Sequence, residues 1–124
     1  MGINEESEEI VGGSGNIFED LGYPNPEEAK AKSDLAIQIH KIIKNRKLTQ
    51  EKAAEIMGID QPKVSDIVRG KLSKYTIDRL LRFLRLLGAD VEIRLEKHRN
   101  RKKSTGLKVV GIEKEKNNAK RASA

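Results

Sequence analysis

Gln50-Glu51-Lys52-Ala53-Ala54-Glu55-Ile56-Met57-Gly58-Ile59-Asp60-Gln61-Pro62-Lys63-Val64-Ser65-Asp66-Ile67-Val68 has the spacing of two short helices joined by a tight turn. Ala54 is small where two helices must nearly touch, and Gly58 supplies the positive φ of the turn. Val64 and Ile67, at i and i+3, then pack the second helix back on the first. This is a helix-turn-helix, a unit that lays its second helix in the major groove of DNA. The pattern implies a double-stranded DNA partner.

Upstream, Asn25-Pro26-Glu27-Glu28 predicts a helix start: an Asn cap, Pro at the first position and Glu three after the cap. Ala29, Leu35, Ile39, Ile42, Ile43 and Arg46 keep helical spacing, so this helix runs to about Arg46. Thr49 caps the helix Gln50 to Met57. Asp60 caps the second helix of the motif, which tolerates Pro62 in its first turn and ends at Gly70.

Downstream, a polar, basic loop from Lys71 to Tyr75 leads to Thr76, which opens a further helix. Its Ile77, Leu80, Leu81, Leu84 and Leu87 form an apolar stripe, and Gly88 stops it. From Asp90 to Glu96 the period falls to two, with Val91, Ile93 and Leu95 on one face and Glu92, Arg94 and Glu96 on the other. That alternation predicts a short half-buried strand. Its backbone needs a partner, either the Asn16–Leu21 segment or the same strand of a second subunit. Leu107 to Ile112 is a weaker strand candidate. The expected fold is mainly α, a bundle of four to five helices plus one short C-terminal β-strand.

With 124 residues the chain supports one small domain and its tails. The expected division is an acidic, Gly-rich, disordered leader over 1–15, the domain over 16–96, and a basic, mostly disordered tail over 97–124. Ile17, Phe18, Leu21 and Tyr23 form an apolar patch that either packs on the domain or docks a partner. With 36% apolar and 3% aromatic residues, the core must be small and aliphatic.

The absence of Cys rules out disulfides and thiolate metal sites and suits a reducing cytoplasm. No apolar run approaches the ~20 residues of a membrane span. The acidic N-terminus is no signal peptide, and Glu6 stands where a myristoylation start needs Ser or Thr. Charge is polarised: residues 1–34 carry −7, 35–96 carry +5 and 97–124 carry +8, for a total of +6. A basic middle and tail suit a polyanion.

Base contacts are expected from the start of the motif's second helix: Gln61 to adenine, Lys63 to guanine, Pro62 to a thymine methyl, and Ser65. Asp66 either accepts from cytosine N4 or pairs outward with Arg69. Phosphate contacts are expected from Thr49 and Gln50, where a helix begins, and from Arg69, Lys71, Ser73 and Lys74. Dimer or partner contacts are expected from Val91, Ile93 and Leu95, from the helix before them, and from Ile17, Phe18 and Leu21. Catalysis is not expected, nor are a cofactor or metal. His40 and His98 have no second ligand at useful spacing, and Gly12-Gly13-Ser14-Gly15 lacks the Lys-Ser/Thr of a phosphate loop.

Residues 36–88 resemble the lambda-repressor-like (XRE-type) helix-turn-helix domain. The likeness lies in Leu48-Thr49-Gln50, Ala53-Ala54, Gly58-Ile59, Gln61, Val64-Ser65, Gly70-Lys71 and the stretch from Leu80 to Gly88. The wider span from Ser14 to Glu96 is similar to HigA-type antitoxin regulators, through Ser14 to Gly22 and Leu86 to Ile93. The resemblance implies a compact helical domain that dimerises on a palindromic operator, with Gln50 clamping a phosphate. It also implies repression of an operon encoding the protein and a toxin, usually an mRNA-cleaving ribonuclease. A stand-alone regulator of the same fold, or a protein- or RNA-binding module using the fold as scaffold, are the alternatives.

Overall fold

The computed structural model describes residues 16–98 and 106–111, arranged as five helices without a strand among them. They are α1 (Ile17–Asp20), α2 (Pro26–Asn45), α3 (Gln50–Met57), α4 (Gln61–Val68) and α5 (Ile77–Leu86). The leader over 1–15, tail residues 99–105 and 112–124, and the disorder expected of them lie outside the described residues.

The long α2 is the platform. Its Leu35, Ala36, Ile39, Ile42 and Ile43 are buried on the face that meets α4 and α5. Ala53, Ala54 and Met57 of α3, Val64 and Ile67 of α4, and Leu80, Leu84 and Leu87 join the same core. Tyr75 and Phe83 belong to it too, stacked edge to face with centroids 6.2 Å apart.

Caps set the boundaries. Thr49 Oγ1 accepts from the Lys52 N–H at 3.0 Å, and Thr76 Oγ1 from the Arg79 N–H at 3.1 Å. Pro26 opens α2 as expected, although the Asn25 side chain makes no capping hydrogen bond. Asp60 departs in the same way: it stands at the N-cap of α4, but its carboxylate lies 4.0 Å from Lys63 Nζ instead of accepting a helix N–H. A solvated lysine nearby competes with the helix end for that carboxylate.

Gly58 adopts φ 73 and turns the chain from α3 to α4. Its N–H donates to the Ala54 carbonyl at 2.8 Å, and the Ile59 N–H shares that acceptor at 3.1 Å. Arg46 Nη1 donates to the Leu87 carbonyl at 2.9 Å, binding the end of α2 to the end of α5.

The expected apolar patch after the leader is a single helical turn. Asn16 is buried; its Oδ1 accepts from the Phe18 and Glu19 N–H groups, and its Nδ2 donates to the Pro26 carbonyl at 3.1 Å. Phe18 stacks on Tyr23 at 5.0 Å, whereas Ile17 and Leu21 face solvent.

The expected strand over 90–96 does not form within the chain. Residues 91–98 lie in neither helix nor ladder, and Val91, Ile93 and Leu95 are exposed. The physical reason is the partner: Asn16–Leu21 is taken up by α1 and its cap, so it offers no extended edge to pair with. Leu107 to Gly111 is likewise not a strand, but Val109 packs on the core and Gly111 abuts the Gln38 side chain, so this part of the tail returns to α2.

A Cβ on Gly58 would meet no atom within 4 Å, so the cost of a side chain there is purely conformational. Gly58→Ala is expected to lose about 1–2 kcal/mol of unfolding free energy with helical content retained, as measured by urea titration followed by circular dichroism.

Candidate nucleic-acid interface

The eight residues of α4 divide sharply. Val64 and Ile67 are completely shielded from solvent, so the rotation of the helix about its axis is set by packing. Gln61, Pro62 and Lys63 then stand exposed on the first turn, with Ser65 and Asp66 half-buried behind them. The five expected base-contact residues therefore share one short helix, the first three exposed.

Lys63 is held by little. Its 4.0 Å approach to Asp60 joins two well-exposed side chains, and such pairs are worth ~0–1 kcal/mol at most. The ammonium can leave Asp60 at small cost. The outward Asp66–Arg69 pair is not formed among the described residues; the Asp66 backbone carbonyl instead accepts from the Lys71 N–H at 2.8 Å, which folds the loop back after α4.

The expected phosphate contacts form two groups. At the start of α3, Thr49 is exposed and Gln50 half-buried. Thr49 Oγ1 is spent on Lys52, which leaves the first-turn N–H groups of Gln50 and Glu51 without an intrahelical acceptor. The second group follows α4, where Arg69, Lys71, Ser73 and Lys74 are all exposed. It lies at the opposite end of α4 from Gln61, about 12 Å along the helix.

Two lysines missing from the sequence-based expectation extend the second group. Lys41 and Lys44 on α2 line an open cleft with His40 and Arg69, so the positive surface continues from α4 onto α2. Their signal in the sequence is their spacing on one face of α2, which is hard to distinguish from an ordinary solvated face.

Tyr75 closes the basic loop from beneath. Burial pushes its phenol above the usual 10.0; the Arg79 guanidinium pulls the other way, and the Asp66 and Asp60 carboxylates add to the rise. Arg79 sits over both the Tyr75 and Phe83 rings, at 5.0 and 5.4 Å. No group of three His, Asp or Glu side chains among the described residues is placed to hold a metal, and no described helix is long and apolar enough to cross a membrane.

A core-seated turn, an exposed first turn on its second helix and flanking basic loops define a DNA-binding helix-turn-helix domain. A family model described as a helix-turn-helix domain matches residues 17–96. A solved structure described as an XRE family transcriptional regulator aligns with a TM-score of 0.66 at 35% identity, covering 72% of this chain and 100% of that one. No curated protein matches. The chain belongs to the helix-turn-helix domain family, among its XRE-type regulators.

The raised phenol of Tyr75 favours the neutral form in the folded state, so its contribution is complete below the unfolded value. It is lost as pH climbs from there through the folded one. Between about pH 9 and pH 11 the urea midpoint of the wild type should fall further than that of Tyr75→Phe.

Proposed function

We propose that the protein is a sequence-specific repressor that binds a palindromic operator as a homodimer in the cytoplasm. We further assign it to the HigA-type antitoxins, repressing an operon shared with a toxin. The observation that carries the DNA reading is the division of α4, with Val64 and Ile67 committed to the core while Gln61, Pro62 and Lys63 are left in solvent.

In the major groove Gln61 pairs with adenine N6 and N7, Lys63 donates to guanine O6 and N7, and Pro62 meets a thymine methyl. Ser65 supports either base, and Asp66, free of Arg69, accepts from cytosine N4. Thr49 and Gln50 hold one phosphate, while Arg69, Lys71, Ser73 and Lys74 hold the backbone beyond the other end of α4. One such module touches few base pairs, so affinity requires two, with half-sites about 34 Å apart. Val91, Ile93 and Leu95 supply the dimer contact, and the α5 face adjoins them.

The antitoxin reading is supported by Ile17 and Leu21, 62% and 67% exposed on a helical turn that is itself fixed to α2. Together with Phe18 they offer an apolar anchor next to an acidic leader, which suits a basic ribonuclease.

Duplexes selected from a random pool by the full chain give the operator. On it, Gln61→Ala and Lys63→Ala should each weaken binding between about fivefold and 150-fold and relax preference at one position per half-site. Lys71→Ala with Lys74→Ala should weaken all sequences alike and lower the salt slope by about 0.9 per lost phosphate contact. Unchanged binding by the Gln61 and Lys63 variants would sink the DNA reading and favour a scaffold role. For the antitoxin reading, the product of the neighbouring frame should co-purify from the native host. Ile17→Asp with Leu21→Asp should release it while leaving operator affinity intact; failure to co-purify would leave a stand-alone regulator.

A further inference from the structure

Two clefts adjoin along one face of α2. The first, roughly 270 Å³, opens at Phe18 and Tyr23, and the second, roughly 420 Å³, extends to Lys44. They share Ser33 and Gly70, so they form one groove between α2 and the end of α4. Its far half is both apolar and basic. Ile37 is 49% exposed there, with Val68 facing it and Lys41, Lys44 and Arg69 around them. Among the described residues, no carboxylate forms an ion pair with any of these three cations.

The leader before Asn16 matches that surface in kind and in order. Residues 1–15 carry Glu5, Glu6, Glu8 and Glu9, then Ile10 and Val11, and no Lys or Arg. Asn16 is buried and donates to the Pro26 carbonyl, two residues before Phe18, so the leader departs from the mouth of the groove. Glu9 lies seven residues before Asn16, a reach of about 25 Å at full extension. Along α2 the advance from Ala29 to Lys44 is about 22 Å. The carboxylates therefore reach the cations without strain.

We propose that the leader lies in this groove, antiparallel to α2, and competes there with DNA. Ile10 and Val11 cover Ile37 and Val68, and the four glutamates sit among Lys41, Lys44 and Arg69. Exposed ion pairs are individually weak. Attachment to the same chain offsets that weakness, because a short tether holds the leader at an effective concentration in the millimolar range. Association too weak to matter between separate molecules then fills the groove. Arg69 is also an expected phosphate contact, so leader and duplex contend for it. The competition rests on the DNA reading above; the docking does not.

The chain has no cysteine, so paired Cys substitutions report the docking on a clean background. In the full chain, Val11→Cys with Ile37→Cys should close an internal disulfide under mild oxidation, read as a mobility shift of the monomer. It should form at least several times faster than with Val11→Cys and Arg82→Cys, whose second site is exposed on α5. For the competition, the probe is a duplex of random sequence. Ile10→Ser with Val11→Ser should bind it more tightly than wild type. A groove filled between about half and nine-tenths of the time gives a gain of about twofold to tenfold. That variant keeps every charge, so simple repulsion between an undocked leader and DNA predicts no change. Circular dichroism confirms that each variant is folded.

Equal cross-linking rates at Ile37→Cys and Arg82→Cys overturn the docking, and the DNA reading stands if the duplex is still bound. Preferential cross-linking with no gain in affinity from the serine variant overturns the competition. If the cross-link forms as described but neither wild type nor variant binds any duplex, the DNA reading falls and the docking stands.

Discussion

The seating of Val64 and Ile67 in the core is the contact on which the DNA-facing side depends. A helix of eight residues does not persist in water on its own, because nucleation costs more than so few hydrogen bonds return. Burying these two side chains contributes roughly 1.5–3 kcal/mol each and gives α4 both its existence and its rotation about its axis. Ala53 and Ala54, lacking bulk, let α3 approach closely, and Gly58 supplies the backbone reversal between the helices. With any of these enlarged or strained, the exposed first turn would point elsewhere.

The rest of the domain keeps that unit in register. The long α2 lies against α1, α4 and α5, so it is common ground for the apolar turn near Ile17, the reading helix and the exit of the chain. The Arg46 to Leu87 hydrogen bond spans 41 positions and satisfies a carbonyl at the end of α5 with a guanidinium that stays charged at any physiological pH. It fixes where the 90–96 segment leaves the domain relative to α2.

The helices were legible because their signals are local. Thr49, Thr76, Pro26 and Gly58 each act within one turn of their own position, and the stripes of α2 and α5 follow from the helical repeat alone. The misses depend on partners far along the chain. Asn16 reads as an ordinary polar residue until its bond to Pro26 shows it buried as a cap. Alternation over 90–96 describes side-chain facing, but a ladder also needs a second edge, which no sequence pattern can guarantee. Asp60 belongs to a residue type that caps helices, yet the nearby Lys63 draws its carboxylate outward. Tyr75 and Phe83 are single aromatics beside an aliphatic stripe, and only packing reveals that they complete the core. For the interface, the exposed turn of α4 was readable from the turn geometry. The contribution of Lys41 and Lys44 depends on α2 passing beside the end of α4, a tertiary fact.

The division of labour within α4 also bears on how such a protein can change over time. Gln61, Pro62 and Lys63 make no contribution to the core, and Val64 and Ile67 make no approach to solvent. On the proposed DNA reading, substitutions at the first three positions rewrite which duplex is read with little effect on folding, while drift at the other two is held back by stability. A duplicated copy of this gene would be free to acquire a new target by a few changes in one helical turn. Two copies diverging in this way could share a cell without contending for the same site.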